Sequence, residues 1–189
     1  MKKKHIITIA GRPGSGKSTA SKGVAEQLGY EHFSSGDLFR AIGRERGMDV
    51  HQTNLAGEKQ ADVDHLVDQR LREIGATQEE VAIDSRMAWH WIPDSFKVFL
   101  NLDLEVAARR ILQNMEPERV KHEHIPSDPQ EYATRLQDRL ASEARRYKKL
   151  YDVDPYDADN YDLVVDTGAR GPSEVQQQIL DAYHMWLAG

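Results

Sequence analysis

Residues 11–18 read GRPGSGKS and directly follow the apolar run HIITIA at residues 5–10. The octapeptide matches the pattern G-x-x-x-x-G-K-[ST], in which backbone N–H groups surround the phosphates of a nucleotide. The run before it predicts a buried strand, and the residues from Lys17 to Leu28 carry apolar side chains at helical spacing. A strand, a glycine-rich loop and a helix in this order predict an α/β domain that binds phosphate.

The residue types in this loop indicate how each would hold a nucleotide. Gly11, Gly14 and Gly16 let backbone N–H groups point at phosphate oxygens without a clashing Cβ. Lys17 supplies positive charge to the β- and γ-phosphates, and the Ser18 hydroxyl is the expected Mg²⁺ ligand. The nucleotide-binding segment is therefore expected to contain Gly11, Arg12, Pro13, Gly14, Ser15, Gly16, Lys17, Ser18 and Thr19.

A second metal ligand is expected to be an aspartate at the end of an apolar strand, and two residues qualify. Asp84 ends the run VAID, and Asp103 ends FKVFLNLD. Asp103 immediately precedes a segment with helical spacing, so helix capping explains it. Asp84 is followed by Ser85 and Arg86, and we favour it as the partner of Ser18 at the metal.

The segment SSGDLFR at residues 34–40 predicts part of a second anion site. Residues 34–37 are types that cap helix starts, and Arg40 lies one turn further on. Arg86 lies just beyond a strand end, at the edge where ligands collect in a parallel sheet. Arg40 and Arg86 would suit a dianionic phosphate through bidentate contacts. The alternatives are a capped helix with a solvated arginine and a surface arginine.

Arg139, Glu143 and Arg146 stand at i, i+4 and i+7 in a long helix predicted over residues 130–151. Both guanidinium groups can therefore reach one site, with Glu143 bracing them or contacting a polar ligand. They suit the charge on a transferring phosphoryl group, aided by a charged surface insertion at residues 116–129. A solvated face of salt bridges is the alternative. Two phosphate sites would favour a kinase over a motor ATPase.

Predicted strands at residues 5–10, 31–33, 81–84, 96–102 and 162–166 alternate with predicted helices. This alternation predicts a single α/β domain with a parallel sheet. A polar helix over residues 53–74 is expected to cover little core and could belong to a mobile flap. Its thin apolar stripe consists of Leu55, Val63, Leu66, Val67, Leu71 and Ile74.

Composition limits the classes of partner and site. The 189 residues carry 25 basic and 31 acidic side chains, a net charge of −6, which disfavours a nucleic acid partner. The absence of cysteine excludes disulfides and thiolate metal sites. The apolar run after MKKK is too short for a signal peptide or a membrane span, so we expect a cytoplasmic protein. His122 and His124 are expected to be solvated loop residues.

Five stretches appear in an order that resembles the nucleoside monophosphate kinases, and most closely the short archaeal-type cytidylate kinases: GRPGSGKST, SSGDLFR, AIDSRM, RLASEARRYKKLYDVD and YDLVVDT. The resemblance implies a three-layer P-loop NTPase fold with a five-stranded parallel sheet. It also implies a helical NMP-binding part at about residues 34–75 and a lid at about 116–129, within one domain over residues 1–189. The implied activity is transfer of the γ-phosphoryl group of ATP, with Mg²⁺, to CMP or dCMP.

The resemblance also implies residue roles. Ser35, Arg40 and Arg86 would bind the acceptor, with Glu143 near its sugar or base. Arg139 and Arg146 would act with Lys17 on the transferring group, and the backbone of Gly168 would approach the ATP base. Asp84-Ser85-Arg86 stands where the family pattern suggests Glu-Gly-Arg. Trp89 and Trp91 are unusual in this position, and we expect local packing rather than a base-stacking shelf.

Other activities remain open from the sequence. A kinase for another nucleoside monophosphate or small molecule would use the same phosphate sites, because base identity rests on a few hydrogen bonds. A non-catalytic nucleotide switch is disfavoured, since the chain has no N-K-x-D stretch and the second arginine site would be idle. A nucleic acid end kinase is disfavoured by the net charge. We expect a monomer that acts on ATP and a nucleoside monophosphate.

Overall fold

The computed structural model describes residues 3–47, 62–115 and 125–189. Its strands form one parallel sheet in the order β2-β3-β1-β4-β5. The strands are β1 (Ile6–Gly11), β2 (Glu31–Ser34), β3 (Val81–Asp84), β4 (Phe96–Asn101) and β5 (Leu163–Asp166). The five-stranded parallel sheet expected from the sequence is confirmed.

Helices connect the strands and cover the sheet. They are α1 (Lys17–Leu28), α2 (Ser35–Glu45), α3 (Asp62–Thr77), the short α4 (Ala88–Trp91), α5 (Leu104–Asn114), α6 (Pro129–Tyr151) and α7 (Pro172–Ala188). Helix α2 begins at Ser35, three residues before the predicted Leu38. The cause is a cap, because the Ser34 side chain accepts a hydrogen bond from the Asp37 N–H at 3.3 Å.

The register of the sheet brings the candidate site residues to one edge. Strand β1 is buried along its whole length and lies between β3 and β4. Ile9 is aligned with Asp84 at the end of β3, and Gly11 is aligned with Leu100 in β4. Because the strands are parallel, Asp84, Ser34 and the start of the glycine-rich loop all lie at carboxyl ends of strands, at the same edge of the sheet.

Two apolar clusters lie on opposite faces of the sheet and give the fold its three layers. On one face Val24 and Tyr183, from α1 and α7, pack on the strands; on the other face Leu71, Ile74 and Ile92 do so. The expected three-layer fold is thus confirmed. No helix among the described residues is long and apolar enough to cross a membrane.

Helix α3 contradicts the expectation that residues 53–74 cover little core. Val63, Leu71 and Ile74 are almost fully buried, and Leu71 and Ile74 belong to one of the two main clusters. Leu66 was expected in the apolar stripe but is 44% exposed. Leu71 and Ile74 pack against Ile6, Val81 and Ile83 of the sheet, so this narrow apolar face does cover core.

Two parts of the predicted organisation fall partly outside the described residues. The predicted NMP-binding part at 34–75 includes residues 48–61, and the predicted lid at 116–129 includes residues 116–124, with His122 and His124. Leu55 also lies outside. The division into these parts therefore stays a prediction.

Candidate active site

The glycine-rich loop has a backbone that only glycine adopts easily. Gly11 has φ +152°, and a Cβ there would lie 2.4 Å from the Leu100 carbonyl oxygen. Gly14 has φ +70°, and its Cβ would lie 3.2 Å from backbone atoms of Ala107. The helix N-cap is Gly16, which has no side chain to satisfy the N–H groups of the first turn of α1. Those N–H groups are available to a phosphate.

Lys17 is held over this loop. Its Nζ donates a hydrogen bond to the Arg12 carbonyl oxygen at 3.2 Å. Burial and then the nearby positive charge of Arg86 lower the pKa of Lys17 from 10.5 to about 8. A polyanionic ligand beside the amino group would reverse this effect and favour the charged form.

Ser18 and Asp84 form the expected pair. The Ser18 hydroxyl donates to Asp84 Oδ2 at 2.5 Å, and Asp84 is buried. Asp103 instead caps α5, accepting from the N–H groups of Glu105 and Val106 at 2.9 and 3.1 Å. The cap interpretation of Asp103 is thereby confirmed.

The chemistry of the Ser18–Asp84 pair fits Mg²⁺. Both groups offer hard oxygen atoms next to the phosphate loop. Among the residues that the structure describes, no group of three or more His, Cys, Asp or Glu side chains could enclose a metal. Mg²⁺ commonly takes only one or two protein ligands and completes its shell with phosphate oxygens and water. The pair is of that kind.

A cavity of about 230 Å³ opens beside the loop, at the carboxyl ends of β2 and β3 and against α3 and α6. It brings together all of the residues that the sequence predicted for the acceptor and the transferring group. These are Lys17, Ser35, Arg40, Arg86, Arg139, Glu143 and Arg146. Phe39, Asp64, Asp68 and Tyr147 also line it, and the sequence had not singled them out.

Glu143 is the central carboxylate of this cavity. Its Oε2 forms an ion pair with Arg86 Nε at 2.8 Å and accepts from the Tyr156 hydroxyl at 2.5 Å. Its Oε1 accepts from Arg139 Nε at 2.9 Å. Burial alone would raise the pKa of Glu143, but the charges of Arg86 and Arg139 outweigh it and hold the pKa at about 2.

Of the two expectations for Glu143, bracing describes its contacts. It joins the arginine at the end of β3 to an arginine on α6, and its side chain is only 8% exposed. The bracing differs in one respect from the sequence expectation, which paired Glu143 with Arg139 and Arg146. Arg146 instead faces Asp64 of α3, with Nε and Oδ2 3.6 Å apart.

The other acceptor candidates have contacts nearer the surface. Ser35 donates from its hydroxyl to the Asp84 carbonyl oxygen at 3.2 Å. Arg40 donates to Asp37 at 2.6 Å, with about half of its side chain exposed. An exposed pair of this kind holds its arginine weakly, so Arg40 can turn to another anion.

The two tryptophans pack locally, as expected. Trp89 is buried, donates from Nε1 to the Arg86 carbonyl oxygen at 2.8 Å and lies against Tyr161. Trp91 donates from Nε1 to Asp68 at 2.8 Å and stacks under the guanidinium group of Arg72. The hydrogen bond from Trp89 therefore helps to fix the backbone at Arg86.

A second cavity, of about 670 Å³, lies on the other side of the loop. Arg110, Arg170 and Pro172 line it together with Thr167 and the loop residues Gly14 to Thr19. Arg110 donates to the carbonyl oxygens of Thr167 and Gly168 at 2.8 and 3.0 Å. The Gly168 carbonyl is thus already engaged by Arg110, which is not among the site residues predicted from the sequence.

Lys17 and Ser18 line both cavities. The amino group and the hydroxyl therefore lie at the boundary between two spaces, each large enough to admit part of a ligand. One space is rich in arginine on the side of α6, and the other adjoins the first turn of α1. The arrangement can hold two phosphate-bearing ligands with their phosphates meeting at Lys17.

Replacing Glu143 by glutamine is expected to lower the free energy of unfolding at pH 7 by about 3 kcal/mol, because Arg86 and Arg139 would share no counter-charge. The folded-state pKa of about 2 lies below the ordinary 4.5, so the stabilisation is complete above about pH 4.5. It is lost as the pH falls toward 2. Urea unfolding at pH 7, 5, 4 and 3 measures the free energy of unfolding of Glu143→Gln and of the unsubstituted protein. The difference between the two free energies should become smaller below pH 4.5.

The exposed carboxylate of Glu73, paired with Arg70, is a matched control for that experiment. Glu73→Gln should change the free energy of unfolding by less than about 1 kcal/mol. If the free energies of unfolding of Glu143→Gln and the unsubstituted protein differed by the same amount at every pH, the bracing role of Glu143 would be contradicted.

Comparisons with known proteins agree with this geometry. A model of the cytidylate kinase-like family matches residues 6–169. A cytidylate kinase of Haloarcula marismortui is 37% identical over 180 residues, covering 94% of this chain and 88% of its own. A cytidylate kinase of Methanopyrus kandleri is 38% identical, covering 89% of this chain and 88% of its own. The shikimate kinase structure from Bacteroides thetaiotaomicron shares the fold, with a TM-score of 0.62, 16% identity and coverage of 96% and 97%.

Proposed function

The chain belongs to the cytidylate kinase-like family, and on that premise we propose that it transfers the γ-phosphoryl group of ATP to CMP or dCMP. The products are ADP and CDP or dCDP. The observation that best supports this is the position of Lys17 and Ser18 between two cavities. A nucleotide that was merely held or hydrolysed would need only one of them.

ATP is assigned to the larger cavity. Its phosphates would lie on the loop from Gly11 to Thr19, against the free N–H groups of α1 and the Lys17 amino group. Its base would lie toward Arg110 and the chain around Gly168, whose backbone is fixed by that arginine. Ser18 and Asp84 would hold Mg²⁺, which draws charge from the β- and γ-phosphates when it is bound.

The acceptor is assigned to the smaller cavity. Its phosphate would lie between Arg86 and Arg40, near the Ser35 hydroxyl, because two forked guanidinium groups match a dianion. Glu143 acts through the arginines that it holds, so it is a positioning residue. Arg139 is half exposed at the mouth of the cavity and would neutralise the charge that spreads over the transferring group.

The transfer step needs no general base. A phosphate monoester has a second pKa of about 6, so near pH 7 the acceptor is mostly a dianion. One of its oxygens attacks the γ-phosphorus in line, and the bond from that phosphorus to the β,γ-bridging oxygen breaks. Its electron pair leaves with ADP. The residues contribute position and charge, with Lys17 and Arg139 beside the moving group.

The test is a panel of acceptors. The purified protein receives ATP and Mg²⁺ with CMP, dCMP, UMP, AMP or GMP, and chromatography separates the diphosphates. We expect CDP and dCDP to form well ahead of the others. A preference for another monophosphate would keep the kinase and replace the acceptor. Release of phosphate at the same slow rate with every acceptor would support a switch instead.

The monomeric state, the cytoplasmic location and the absence of a nucleic acid partner remain predictions from the sequence. Arg146, predicted to act on the transferring group, lies deeper in the acceptor cavity than Arg139, with 12% of its side chain exposed against 46%.

A further inference from the structure

Tyr156 lies in the loop between α6 and β5 and contacts the central carboxylate of the acceptor cavity. Its hydroxyl donates to Glu143 Oε2 at 2.5 Å, and the same oxygen lies 2.8 Å from Arg86 Nε. Glu143 Oε1 accepts from Arg139 Nε at 2.9 Å. The carboxylate therefore joins two arginines and one tyrosine, and only the tyrosine is neutral.

Three hydrogen bonds fix the backbone of this loop beside Tyr156. The Tyr156 N–H donates to the Asp154 carboxylate at 2.9 Å, and the Asp154 carbonyl oxygen accepts from Asn160 Nδ2 at 2.8 Å. The Pro155 carbonyl oxygen accepts from the Tyr161 hydroxyl at 2.6 Å. The point from which the Tyr156 side chain starts is thus defined by the loop itself.

The ring of Tyr156 is held by packing. It lies against a buried cluster formed by Ala10, Trp89 and Phe99, and its centroid is 6.5 Å from that of Phe99 in an edge-to-face arrangement. Trp89 also donates to the Arg86 carbonyl oxygen at 2.8 Å. One cluster therefore supports both the backbone of Arg86 and the tyrosine that reaches the counter-ion of Arg86.

The Tyr156 hydroxyl is suited to act as a donor only. Burial raises the pKa of Tyr156 and so does the charge of Glu143, while the charge of Arg86 opposes the rise. The hydroxyl therefore keeps its proton at pH 7 and gives it to the hydrogen bond with Glu143. A neutral donor occupies a lone pair of the carboxylate without adding a third positive charge beside Arg86 and Arg139.

The orientation of the Glu143 carboxylate matters because it sets the orientation of Arg86. The last side-chain torsion of a glutamate has a broad energy profile, so a carboxylate turns easily unless its oxygens are held. A guanidinium group grips a phosphate through two N–H groups in a rigid fork. If the carboxylate turned, the Arg86 group paired with it would turn too, and both N–H groups would be misplaced together.

We propose that Tyr156 is a positioning residue for the acceptor: by fixing Glu143 Oε2, its hydroxyl holds the fork of Arg86 in the plane that receives the acceptor phosphate. The assignment rests on the proposed function, because Arg86 is given to the acceptor there. Tyr156 acts through Glu143, so losing its hydroxyl should impair use of the acceptor and spare ATP.

The first test is Tyr156→Phe, which keeps the ring and removes the hydroxyl. We expect the KM for CMP to rise about 10-fold, with kcat within about threefold and the KM for ATP within about twofold of the unsubstituted values. A purely structural defect would reduce the amount of active protein, lowering kcat and leaving the KM for CMP unchanged. A KM for CMP within about twofold of the unsubstituted value would overturn the assignment.

Tyr183→Phe is the control for loss of a tyrosine hydroxyl. The Tyr183 hydroxyl lies 3.1 Å from that of Tyr30, in the cluster that α7 forms with the sheet. Its removal should lower stability in urea unfolding and keep the KM for CMP within about twofold. An equal rise of this KM in both variants would show a general effect of losing a buried hydroxyl and would count against Tyr156.

A second test asks whether the hydroxyl acts through Arg86. In Arg86→Lys the cation is a point charge on a flexible stem, which has no plane to be held. Adding Tyr156→Phe to Arg86→Lys should therefore change the KM for CMP by less than about twofold. A further rise of about 10-fold would show that the hydroxyl works independently of Arg86, and the proposal would be wrong.

Failure here can be separated from failure of the proposed function. Formation of CDP by the unsubstituted protein tests the transfer to CMP by itself, and if another monophosphate is the better acceptor, the same KM values are measured for it. If a diphosphate forms while Tyr156→Phe leaves the KM of its acceptor unchanged, the kinase stands and the role of Tyr156 falls. If no acceptor gives a diphosphate, the proposed function is wrong and the assignment falls with it.

Discussion

Replacing Lys17 by methionine is expected to lower kcat/KM for phosphoryl transfer on the order of 10³-fold. Methionine keeps an unbranched, flexible side chain that is one atom shorter, and it removes the charge at the boundary between the two cavities. ATP affinity should fall as well, by about 10- to 100-fold, because a hydrogen bond to a charged phosphate is lost. Coupled-enzyme kinetics and an ATP titration measure the two effects.

The same substitution should leave the fold at least as stable. The folded-state pKa of Lys17, about 8, lies below the ordinary 10.5, so keeping the amino group charged at pH 7 opposes folding. Between pH 8 and 10.5 the unfolded chain binds the extra proton, and stability rises with pH. Methionine removes this dependence, so its free energy of unfolding at pH 7 should equal or exceed that of the unsubstituted protein.

Lys22, exposed on the same helix, provides the control. Lys22→Ala should keep kcat/KM within about twofold. If Lys17→Met retained its rate, the assignment of the phosphate loop would be wrong. If it lost rate only because it unfolded, the urea titration would reveal that directly.

Local patterns were sufficient to predict most of the fold. GRPGSGKS requires a tight turn between a strand and a helix, and the structure gives Gly11 and Gly14 the conformations that such a turn needs. The apolar runs that became strands were recognisable because a central parallel strand is buried on both faces. The start of α2 was missed by three residues, since the pattern of apolar residues begins later than the Ser34 cap.

The burial of helix α3 was harder to predict from the sequence, because its buried residues are both apolar and acidic. Leu71 and Ile74 pack on the sheet and Val63 is buried, but Asp64 and Asp68 are also buried, and their charge conceals the helical stripe in the sequence. The spacing of the two aspartates, i and i+4 beside Val67, was an available signal. Recognising it would have required knowing that Trp91 and Tyr151, distant in the sequence, supply partners to Asp68 alone.

The arginine cluster was predictable as residues but not as contacts. Helical spacing placed Arg139, Glu143 and Arg146 on one face, and all three line the cavity. It could not show that Glu143 would bridge to Arg86 across the sheet edge, or that Arg146 would turn to Asp64. Those pairings depend on where α3 and α6 meet, which only the tertiary structure determines.

Replacing Arg86 by lysine is the second large effect that we expect, a fall in kcat/KM for the acceptor of about 100-fold with ATP affinity unchanged within about threefold. Lysine keeps a positive charge beside Glu143, so the buried carboxylate retains a counter-charge and the chain should fold. It cannot offer the forked pair of N–H groups that grips a phosphate at two oxygens. The loss should appear in the KM for CMP and in kcat.

Arg86→Ala extends the same argument, because it removes the charge as well as the geometry. Its kcat/KM should fall by about 10³-fold, and the unfolding free energy should also drop, since Glu143 loses one of its two arginines. The double variant Arg86→Ala with Glu143→Gln separates these effects, restoring part of the stability and none of the activity. Arg109, half exposed on α5, provides the control. Arg109→Ala should leave kcat/KM and the free energy of unfolding nearly unchanged. Loss of ATP binding in parallel with turnover in Arg86→Lys would refute separate donor and acceptor sites, because Arg86 would then belong to the nucleotide held by Lys17.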